Sequence, residues 1–217
     1  MSLYKTFLIL AIVIGYLVGT VSWAYIIGKF LWKEDIRTKG SGNSGASNMA
    51  INHGWKFGIV VFILDFLKTL LVMKIFAHLG LNNGLWYQQI LAVRAVAGFA
   101  SVIGHIFPFW LNFKGGKGSA SAIALGFGLD PFIGLAGAIT IILVSIITNY
   151  VSLGGIFIWL GLAASSWIIF HNIYITGGFI IMFFLSLYLH RNNLKRIKAG
   201  TESGIKRRYD DNDKKLK

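Results

Sequence analysis

The chain has 217 residues, of which 55% are hydrophobic and 13% charged, and its mean hydropathy is +0.66. This composition excludes an ordinary soluble domain and indicates one integral membrane domain, while the absence of cysteine excludes disulfides and thiol catalysis. The formal net charge of +13 comes from lysines and arginines gathered in a few loops and near the C-terminus. Orientation in a membrane explains that distribution better than nucleic-acid binding does.

Apolar segments follow one another along the whole chain. They predict seven helices, at 4–31, 57–79, 86–110, 119–129, 131–148, 153–170 and 173–190. A helix needs roughly 20 residues to cross the hydrocarbon core. The fourth segment is shorter, and Asp130-Pro131 separates it from the fifth because proline cannot continue a helix. We therefore expect seven spans, with six as the alternative if the fourth segment does not cross.

Basic residues indicate how these spans are oriented. Lysine and arginine occur in 33–56, in 112–118 and after residue 190, whereas 80–85, 130 and 171 contain none. Because cytoplasmic loops carry the excess of lysine and arginine, seven spans with the N-terminus outside place every basic segment, and the C-terminus, in the cytoplasm. The prediction is an all-α integral membrane protein with seven transmembrane helices over 1–200 and a polar, disordered cytoplasmic tail over 201–217.

A glycine-rich polar loop follows the first apolar segment. It runs from Lys39 to Asn48 and contains three glycines, three serines and two asparagines. Glycine lets the backbone approach a ligand closely, while lysine, serine and asparagine supply hydrogen-bond donors for an anion. A flexible linker would also be rich in glycine and serine, but two asparagines beside a lysine are less expected there. The loop is interpreted as a phosphate-binding loop.

A second glycine-rich loop follows the third apolar segment. It comprises G-H-I-F-P at 104–108 and F-K-G-G-K-G-S at 113–119. It is not a Walker A loop, because Gly118 follows Lys117 where serine or threonine is needed and Leu111 stands at the position of the first glycine. A basic membrane turn is the alternative. Three glycines followed by serines at the start of the next helix favour an anion cradle.

Ionised groups also occur within the apolar segments. Asp65 and Lys68 are three residues apart in the second segment, where such groups are costly unless paired, so we expect a structural ion pair. A role in substrate binding is the alternative for this pair. His105 is interpreted as a structural donor or an interfacial residue, with a catalytic role as the alternative. No metal-ligand cluster, nucleophile elbow or His-x₄-Asp dyad is present in the sequence. The chemistry should therefore depend on phosphate binding and positioning, with no metal and no cofactor.

These loops resemble the motifs of the bacterial acyl-phosphate:glycerol-3-phosphate acyltransferases, the PlsY family. The family's first motif has the form G-S-G-N-x-G-A-T-N-x-x-R, and 40–48 reads G-S-G-N-S-G-A-S-N. Its second motif, G-H-x-F-P followed by F-K-G-G-K-G, matches 104–108 and 113–118. The H-R-N-N-L at 190–194 and the G-T-E at 200–202 are similar to the family's ending.

The resemblance implies a membrane acyltransferase that takes a fatty acyl group from acyl phosphate to the 1-hydroxyl of glycerol 3-phosphate. The products would be lysophosphatidic acid and phosphate, in the first step of bacterial phospholipid synthesis. The active site would lie at the cytoplasmic face of the inner membrane. The implied partners are both substrates, membrane lipid and an enzyme that supplies acyl phosphate; nucleic acid is not one of them.

The resemblance also implies roles for individual residues. Lys117, Ser41 and Asn43 would be catalytic. Acyl phosphate would be bound by Ser41, Gly42, Asn43, Gly45, Ser47, Asn48, Gly115, Gly116 and Lys117. Glycerol 3-phosphate would be bound by Lys117, Ser152, His190 and Asn193.

Three positions depart from the family pattern. Ile51 and Asn149 stand where the family has arginine, and Gly155 stands where it has serine. Arginine and serine are groups that grip a phosphate, so the changes concern the acceptor. They leave two further hypotheses: a paralogue with the acyl-phosphate site and another acceptor, or a non-catalytic membrane protein that binds acyl phosphate or lipid.

Overall fold

The computed structural model describes residues 2–205, which contain helices and no strand. They form two compact units, one up to Gly134 and one from Leu135 onward. The predicted disorder of the tail falls mainly on residues 206–217, which lie outside the described residues. Residues 201–205 are described, and the N–H of Ile205 donates to the carbonyl of Asn149 at 2.9 Å. The start of the expected tail therefore belongs to the fold.

Among the described residues, six helices lie in the first unit and three in the second, and one helix crosses the division. The first unit contains α1 (Leu3–Gly19), α2 (Trp23–Trp32), α3 (Ala46–His53), α4 (Trp55–Asn82), α5 (Tyr87–Ile106) and α6 (Ser119–Leu129), with 3₁₀ turns at Ile36–Thr38 and Phe109–Leu111. Helix α7 (Pro131–Thr148) begins in the first unit and ends in the second. The second unit contains α8 (Val151–Phe170), α9 (Ile173–Leu189) and α10 (Arg191–Lys198).

Each apolar segment predicted from the sequence contains helix. The fourth and fifth segments have the bounds of α6 and α7. The first segment is two helices rather than one, because the chain breaks at Thr20–Ser22, which we call the break segment. The Thr20 hydroxyl donates to the Leu17 carbonyl at 2.7 Å, satisfying an acceptor that the end of α1 leaves open.

Within residues 2–205, four helical stretches are long and apolar enough to cross a membrane. They are Leu3–Trp32, Tyr87–Leu111, Pro131–Thr148 and Val151–Phe170. A fifth is added if α9 and α10, which meet at 55°, count as one span. Helix α4 is longer but carries four charged residues, and α6 has only 11 residues. The count of seven spans therefore stays a prediction.

Small residues bring α1 and α5 together in the first unit. A side chain at Gly15 or Gly19 of α1 would overlap carbonyls of α5, and one at Gly104 of α5 would overlap the Tyr16 carbonyl of α1. Glycine at these positions permits close backbone approach between membrane helices. This packing fixes the end of α5, where the second glycine-rich loop begins.

Helix α6 is the most buried helix of the first unit. It packs against α4 and α5, and nine of its 11 residues are buried. Arg94 of α5 donates to the carbonyls of Gly128 and Leu129 at the end of α6. A cation at this C-terminal end also interacts favourably with the partial negative charge of the helix dipole. Arg94, whose partner the sequence did not indicate, therefore caps α6.

The second unit is built around α8 and α9. Trp159 of α8 and Phe179 of α9 are fully buried, with ring centroids 6.4 Å apart. Between α7 and α8 the chain turns at Asn149, whose φ of 65° lies in the left-handed region. This turn places Ser152 in the first turn of α8.

Candidate active site

Asn48 organises the first glycine loop, residues 39–48. Its side-chain oxygen accepts from the N–H of Ser41 at 2.9 Å and from Asn52 at 3.0 Å. Its side-chain nitrogen donates to the carbonyls of Ile36 at 2.9 Å and Lys39 at 3.1 Å. The residue is fully buried, and an amide offers two donors and two acceptor positions. All four form hydrogen bonds with the loop or with residues beside it, so this side chain fixes the shape of the loop.

The exposed side chains of this loop are those best placed to meet a ligand. Ser41 and Ser47 are exposed and Asn43 is half-buried. Gly45 is the N-cap of α3, whose first N–H groups have no acceptor within the helix. Hydroxyl, amide and backbone donors therefore occur together at a helix N-terminus, which suits a phosphate.

Two ion-pair networks fix the chain before this loop. The side chain of Arg37 donates to both oxygens of Asp35, at distances from 2.7 to 3.2 Å, and holds the pKa of that carboxyl below its usual value. Glu34 pairs with Lys39 and lies 2.7 Å from Nε2 of His53. The hydrogen bond from Lys39, aided by His53, lowers the pKa of Glu34 against the effect of burial.

The second glycine loop, residues 104–119, folds back on the end of α5. The N–H groups of Gly115 and Gly116 donate to the carbonyls of Ile106 and His105, both at 3.0 Å. A side chain at either glycine would overlap α5, at the His105 carbonyl or the His105 ring. These two N–H groups, which were expected to cradle phosphate, thus hold the loop in place.

Lys117 and the start of α6 supply the donors of this loop. Lys117 is half-buried, and Gly118 adopts a φ of 84° as the N-cap of α6. The first turn of a helix has backbone N–H groups without intrahelical acceptors, and its dipole favours an anion. Ser119 adds a half-buried hydroxyl at the same end. Lysine, helix N-terminus and hydroxyl together form a second group of donors that would suit a phosphate.

The break segment connects the two loops and α4. The Thr20 carbonyl accepts from the Trp110 ring N–H at 2.9 Å, and the Ser22 hydroxyl is bonded to that of Ser44 in the first loop. Lys68 donates to the Val21 carbonyl at 2.5 Å. The 3₁₀ turn that leads into the first loop is also joined directly to the second loop, because Arg37 donates to the Leu111 carbonyl at 2.8 Å. Both glycine loops therefore share one anchor within the first unit.

Asp65, Lys68 and His105 form a buried cluster. Nζ of Lys68 lies 2.8 Å from Oδ1 of Asp65 and 3.1 Å from Nδ1 of His105. All three side chains are at most 7% exposed. The expected ion pair within α4 is present, and the histidine beneath the second loop joins it.

Three of the four acceptor residues implied by the resemblance lie in the second unit. His190 and Asn193 are buried, and the Oγ atom of Ser152 is buried as well. Nδ1 of His190 lies 2.9 Å from the Ser186 carbonyl, which requires a hydrogen on Nδ1. Asn193 donates to one oxygen of Glu202 at 2.6 Å. These contacts fix the orientation of both polar side chains.

Comparison with known proteins decides the family. The family model described as glycerol-3-phosphate acyltransferase matches residues 9–200. The chain belongs to the glycerol-3-phosphate acyltransferase family. It is 36% identical to a glycerol-3-phosphate acyltransferase of Thermoanaerobacter pseudethanolicus, over 91% of this chain and 95% of that protein. It is 35% identical to glycerol-3-phosphate acyltransferase 2 of Bacillus anthracis, over 91% of this chain and 98% of the relative.

Solved acyltransferase structures share the fold. The crystal structure of PlsY, an integral membrane glycerol 3-phosphate acyltransferase, in its glycerol 3-phosphate form matches with a TM-score of 0.79 and 30% identity. It covers 91% of this chain and 95% of that one. The lysophosphatidic acid form matches with a TM-score of 0.74. The chain is therefore a multi-pass integral membrane protein of this acyltransferase family.

Three positions where this acyltransferase departs from the family pattern have different surroundings. Ile51 is exposed on α3. Asn149 is held in the turn before α8 by the N–H of Ile205. Gly155 is buried, and its carbonyl accepts from the Ser186 hydroxyl at 3.1 Å. A hydroxyl from α9 therefore contacts the backbone at position 155.

Several residues of the acyltransferase site were not singled out from the sequence. Arg37 donates to a carbonyl of the second loop, and Asn52 donates to Asn48. Glu202 accepts hydrogen bonds from both Asn193 and Arg196. Only the G-T-E resemblance at 200–202 gave a signal for Glu202. No group of three potential metal ligands occurs in the part of the chain that the structure describes.

Proposed function

We propose that this acyltransferase moves a fatty acyl group from acyl phosphate to the 1-hydroxyl of glycerol 3-phosphate, giving lysophosphatidic acid and phosphate. One observation carries the proposal: two phosphate-binding loops share one anchor in a chain whose fold matches the glycerol 3-phosphate form of PlsY with a TM-score of 0.79. The family match supports the reaction class. The composition of the loops supports acyl phosphate as the donor.

The reaction needs no strong protein base. The 1-hydroxyl oxygen attacks the acyl carbonyl carbon, and the bond from that carbon to the phosphate oxygen breaks. Phosphate leaves and takes up the hydroxyl proton, so atoms and charge balance. An acyl phosphate is already an activated anhydride, which leaves the protein to position both substrates and to neutralise developing negative charge.

The first unit would bind the donor. Lys117, at the N-terminus of α6, neutralises phosphate and oxyanion charge. Ser41, Asn43 and Ser47 donate to the acyl phosphate from the first loop. Asn48, with Gly42, Gly45, Gly115 and Gly116, gives the two loops the backbone shape that this requires. Close approach and fixed donors are what phosphate binding demands.

The second unit would supply groups that bind the acceptor. His190 and Asn193, one turn apart, orient glycerol 3-phosphate, and Ser152 in the first turn of α8 adds a hydroxyl donor. The side chains of His190 and Asn193 are oriented by hydrogen bonds to the Ser186 carbonyl and to Glu202, respectively. A preorganised set of polar groups lowers the entropic cost of aligning the hydroxyl with the acyl carbon.

We also propose seven spans with the N-terminus outside, in a bacterial inner membrane. The basic segments support this orientation, because it places all of them in the cytoplasm. Both glycine loops would then lie at the cytoplasmic face, where glycerol 3-phosphate is available. Membrane lipid would surround the exposed apolar helix faces, and an enzyme that forms acyl phosphate is the proposed supplier of the donor.

A turnover assay tests the proposal. Purified protein in detergent or lipidic mesophase is given palmitoyl phosphate with glycerol 3-phosphate, and in parallel with glycerol, while phosphate and lipid products are measured. We expect lysophosphatidic acid from the wild type and its loss in Lys117→Ala. Lys114→Ala, which removes an exposed lysine of the same loop, is the matched control and should turn over normally. Near-normal turnover in Lys117→Ala would refute the proposed mechanism.

The same assay separates the alternatives. Phosphate release with glycerol but not with glycerol 3-phosphate would indicate another acceptor. Binding of palmitoyl phosphate with no product from either would indicate a non-catalytic protein. For glycerol 3-phosphate, Ile51→Arg and Asn149→Arg should lower KM if the family arginines grip its phosphate. An unchanged KM would show that other residues already supply that grip.

A further inference from the structure

The ammonium of Lys68 forms one ion pair and two hydrogen bonds. Its Nζ lies 2.8 Å from Oδ1 of Asp65, 2.5 Å from the Val21 carbonyl and 3.1 Å from Nδ1 of His105. The lysine side chain is 5% exposed. A buried ammonium persists only when it is paired and its hydrogen bonds are satisfied. This site meets both conditions.

The same geometry selects one tautomer of His105. A carboxylate at 2.8 Å keeps Lys68 in its charged form, with no lone pair to accept a hydrogen bond. Oδ1 of Asp65 also lies 3.4 Å from Nδ1 of His105, but it is closer to Lys68, at 2.8 Å. Nδ1 is therefore taken as the acceptor in its shorter contact, with Lys68 at 3.1 Å. The ring hydrogen of the neutral imidazole then lies on Nε2.

The Nε2 corner of His105 faces the second glycine loop. A Cβ at Gly116 would lie 2.6 Å from Cε1 and 3.0 Å from Cδ2 of the ring, and closer still to Nε2. The ring thus occupies the space that a side chain at position 116 would need. The backbone of the same two residues is joined by the hydrogen bond from Gly116 to the His105 carbonyl. Lys117 is the next residue along the chain.

We propose that Asp65, Lys68 and His105 form a positioning relay for Lys117. Lys68 ties the break segment to His105 and fixes the imidazole with its hydrogen on Nε2. The His105 ring then packs against Gly116 and fixes the position of the loop that carries Lys117. None of the three relay residues touches the substrate. This inference rests on the proposed function, because the relay acts through the lysine that neutralises the transferring phosphate.

The tautomer is tested first, by a measurement that needs no activity. Protein labelled with ¹⁵N-histidine is examined by NMR at neutral pH, and the His105 signals are assigned by their loss in His105→Gln. We expect Nε2 protonated and Nδ1 unprotonated in the wild type, and exchange between tautomers in the charge-neutral double variant Asp65→Asn/Lys68→Met. A wild-type His105 protonated on Nδ1, or on both nitrogens, would overturn the relay.

Kinetics test the link to Lys117 in a wild type that has first been shown to turn over. His105→Ala should lower kcat by about tenfold to a hundredfold, since a displacement near 1 Å is enough for such a loss. His105→Gln keeps an N–H near the Nε2 position and should retain most of the activity. His78→Ala, which removes an exposed histidine of α4, is the control. If the wild type is inactive the proposed function fails, whereas an active wild type with an unaffected His105→Ala variant overturns the relay alone.

A double-mutant cycle tests the contact itself. Gly116→Ala inserts a methyl group where the ring lies and should also lower kcat. In Gly116→Ala/His105→Ala the two effects should not multiply, because removal of the ring relieves the overlap. Thermal unfolding of every variant shows whether it folds. Independent, multiplying losses in folded variants would overturn the inference, and if the alanine variants do not fold, His105→Gln and the NMR result decide.

Discussion

Asn48→Ala should open the first glycine loop. The substitution removes four hydrogen bonds, to the Ser41 N–H, the Asn52 amide and the carbonyls of Ile36 and Lys39. These contacts connect the 3₁₀ turn, the glycines and α3. Without them, Ser41 loses the restraint on its backbone and the donors of the loop are no longer held together.

The size of the effect follows from which groups lose their partners. Ser41 and Lys39 are exposed, so water can replace the lost bonds at their backbone atoms. Ile36 is fully buried, and its carbonyl keeps only the bond from the Lys39 N–H at 3.3 Å, so the lost bond costs about 0.5–1.5 kcal/mol there. With the remaining bonds at about 0.5–1 kcal/mol each, the total loss of stability is about 3 kcal/mol. Disorder of the donor loop should lower turnover by at least tenfold.

Thermal unfolding, limited proteolysis and turnover with palmitoyl phosphate measure this effect. Asn52→Ala removes one of the four bonds and should cost about 1 kcal/mol, giving a graded comparison. Asn48→Asp keeps the acceptor but loses both donors, so it should behave like the alanine variant. If Asn48→Ala unfolds at the wild-type temperature and keeps turnover within twofold, the view of Asn48 as the loop's organiser is wrong.

Two further predictions concern the surroundings of the loops. The hydrogen bond from Lys39 lowers the pKa of Glu34, so the contribution of this carboxylate to stability is present at neutral pH and lost as the pH falls through the folded-state pKa. Glu34→Gln should lower the unfolding temperature at pH 7, with a difference that shrinks as the pH falls below the ordinary glutamate pKa of about 4.3. Gly104→Ala should separate α1 from α5 by overlap at the Tyr16 carbonyl and lower both stability and turnover. Gly177→Ala, in open space on α9, is its control and should be neutral or stabilising; equal stability of the two variants would contradict the close-packing argument.

The sequence predicts the helices well because membrane helices are long, apolar and separated by polar residues. The bounds of α6 and α7 follow from Asp130-Pro131 and from the polar residues around it. The break between α1 and α2 is different. Thr20, Val21 and Ser22 do not interrupt the apolar pattern strongly, and the bonds that stabilise the break come from Trp110, Lys68 and Ser44, far away in the chain. Local pattern carries no information on such contacts.

The candidate site shows the same division. Residue types and glycine spacing locate both loops, because phosphate binding requires donors and close backbone approach. They do not separate a side chain that faces a ligand from one that faces inward. Asn43 and Asn48 look alike in the sequence, yet Asn48 is fully buried with all four polar positions used in the loop. That distinction depends on how the 3₁₀ turn packs against α3, which only the tertiary structure shows.

The shared anchor at Thr20–Ser22 has a consequence for how this sequence can change in length. The exposed turn at 83–84, between α4 and α5, can absorb an inserted residue locally. One residue inserted in the break would turn α2 by about 100° about its axis. Ser22 would then leave Ser44, and the Val21 carbonyl would leave Lys68. Length variation should therefore be tolerated in that exposed turn and forbidden in these three residues.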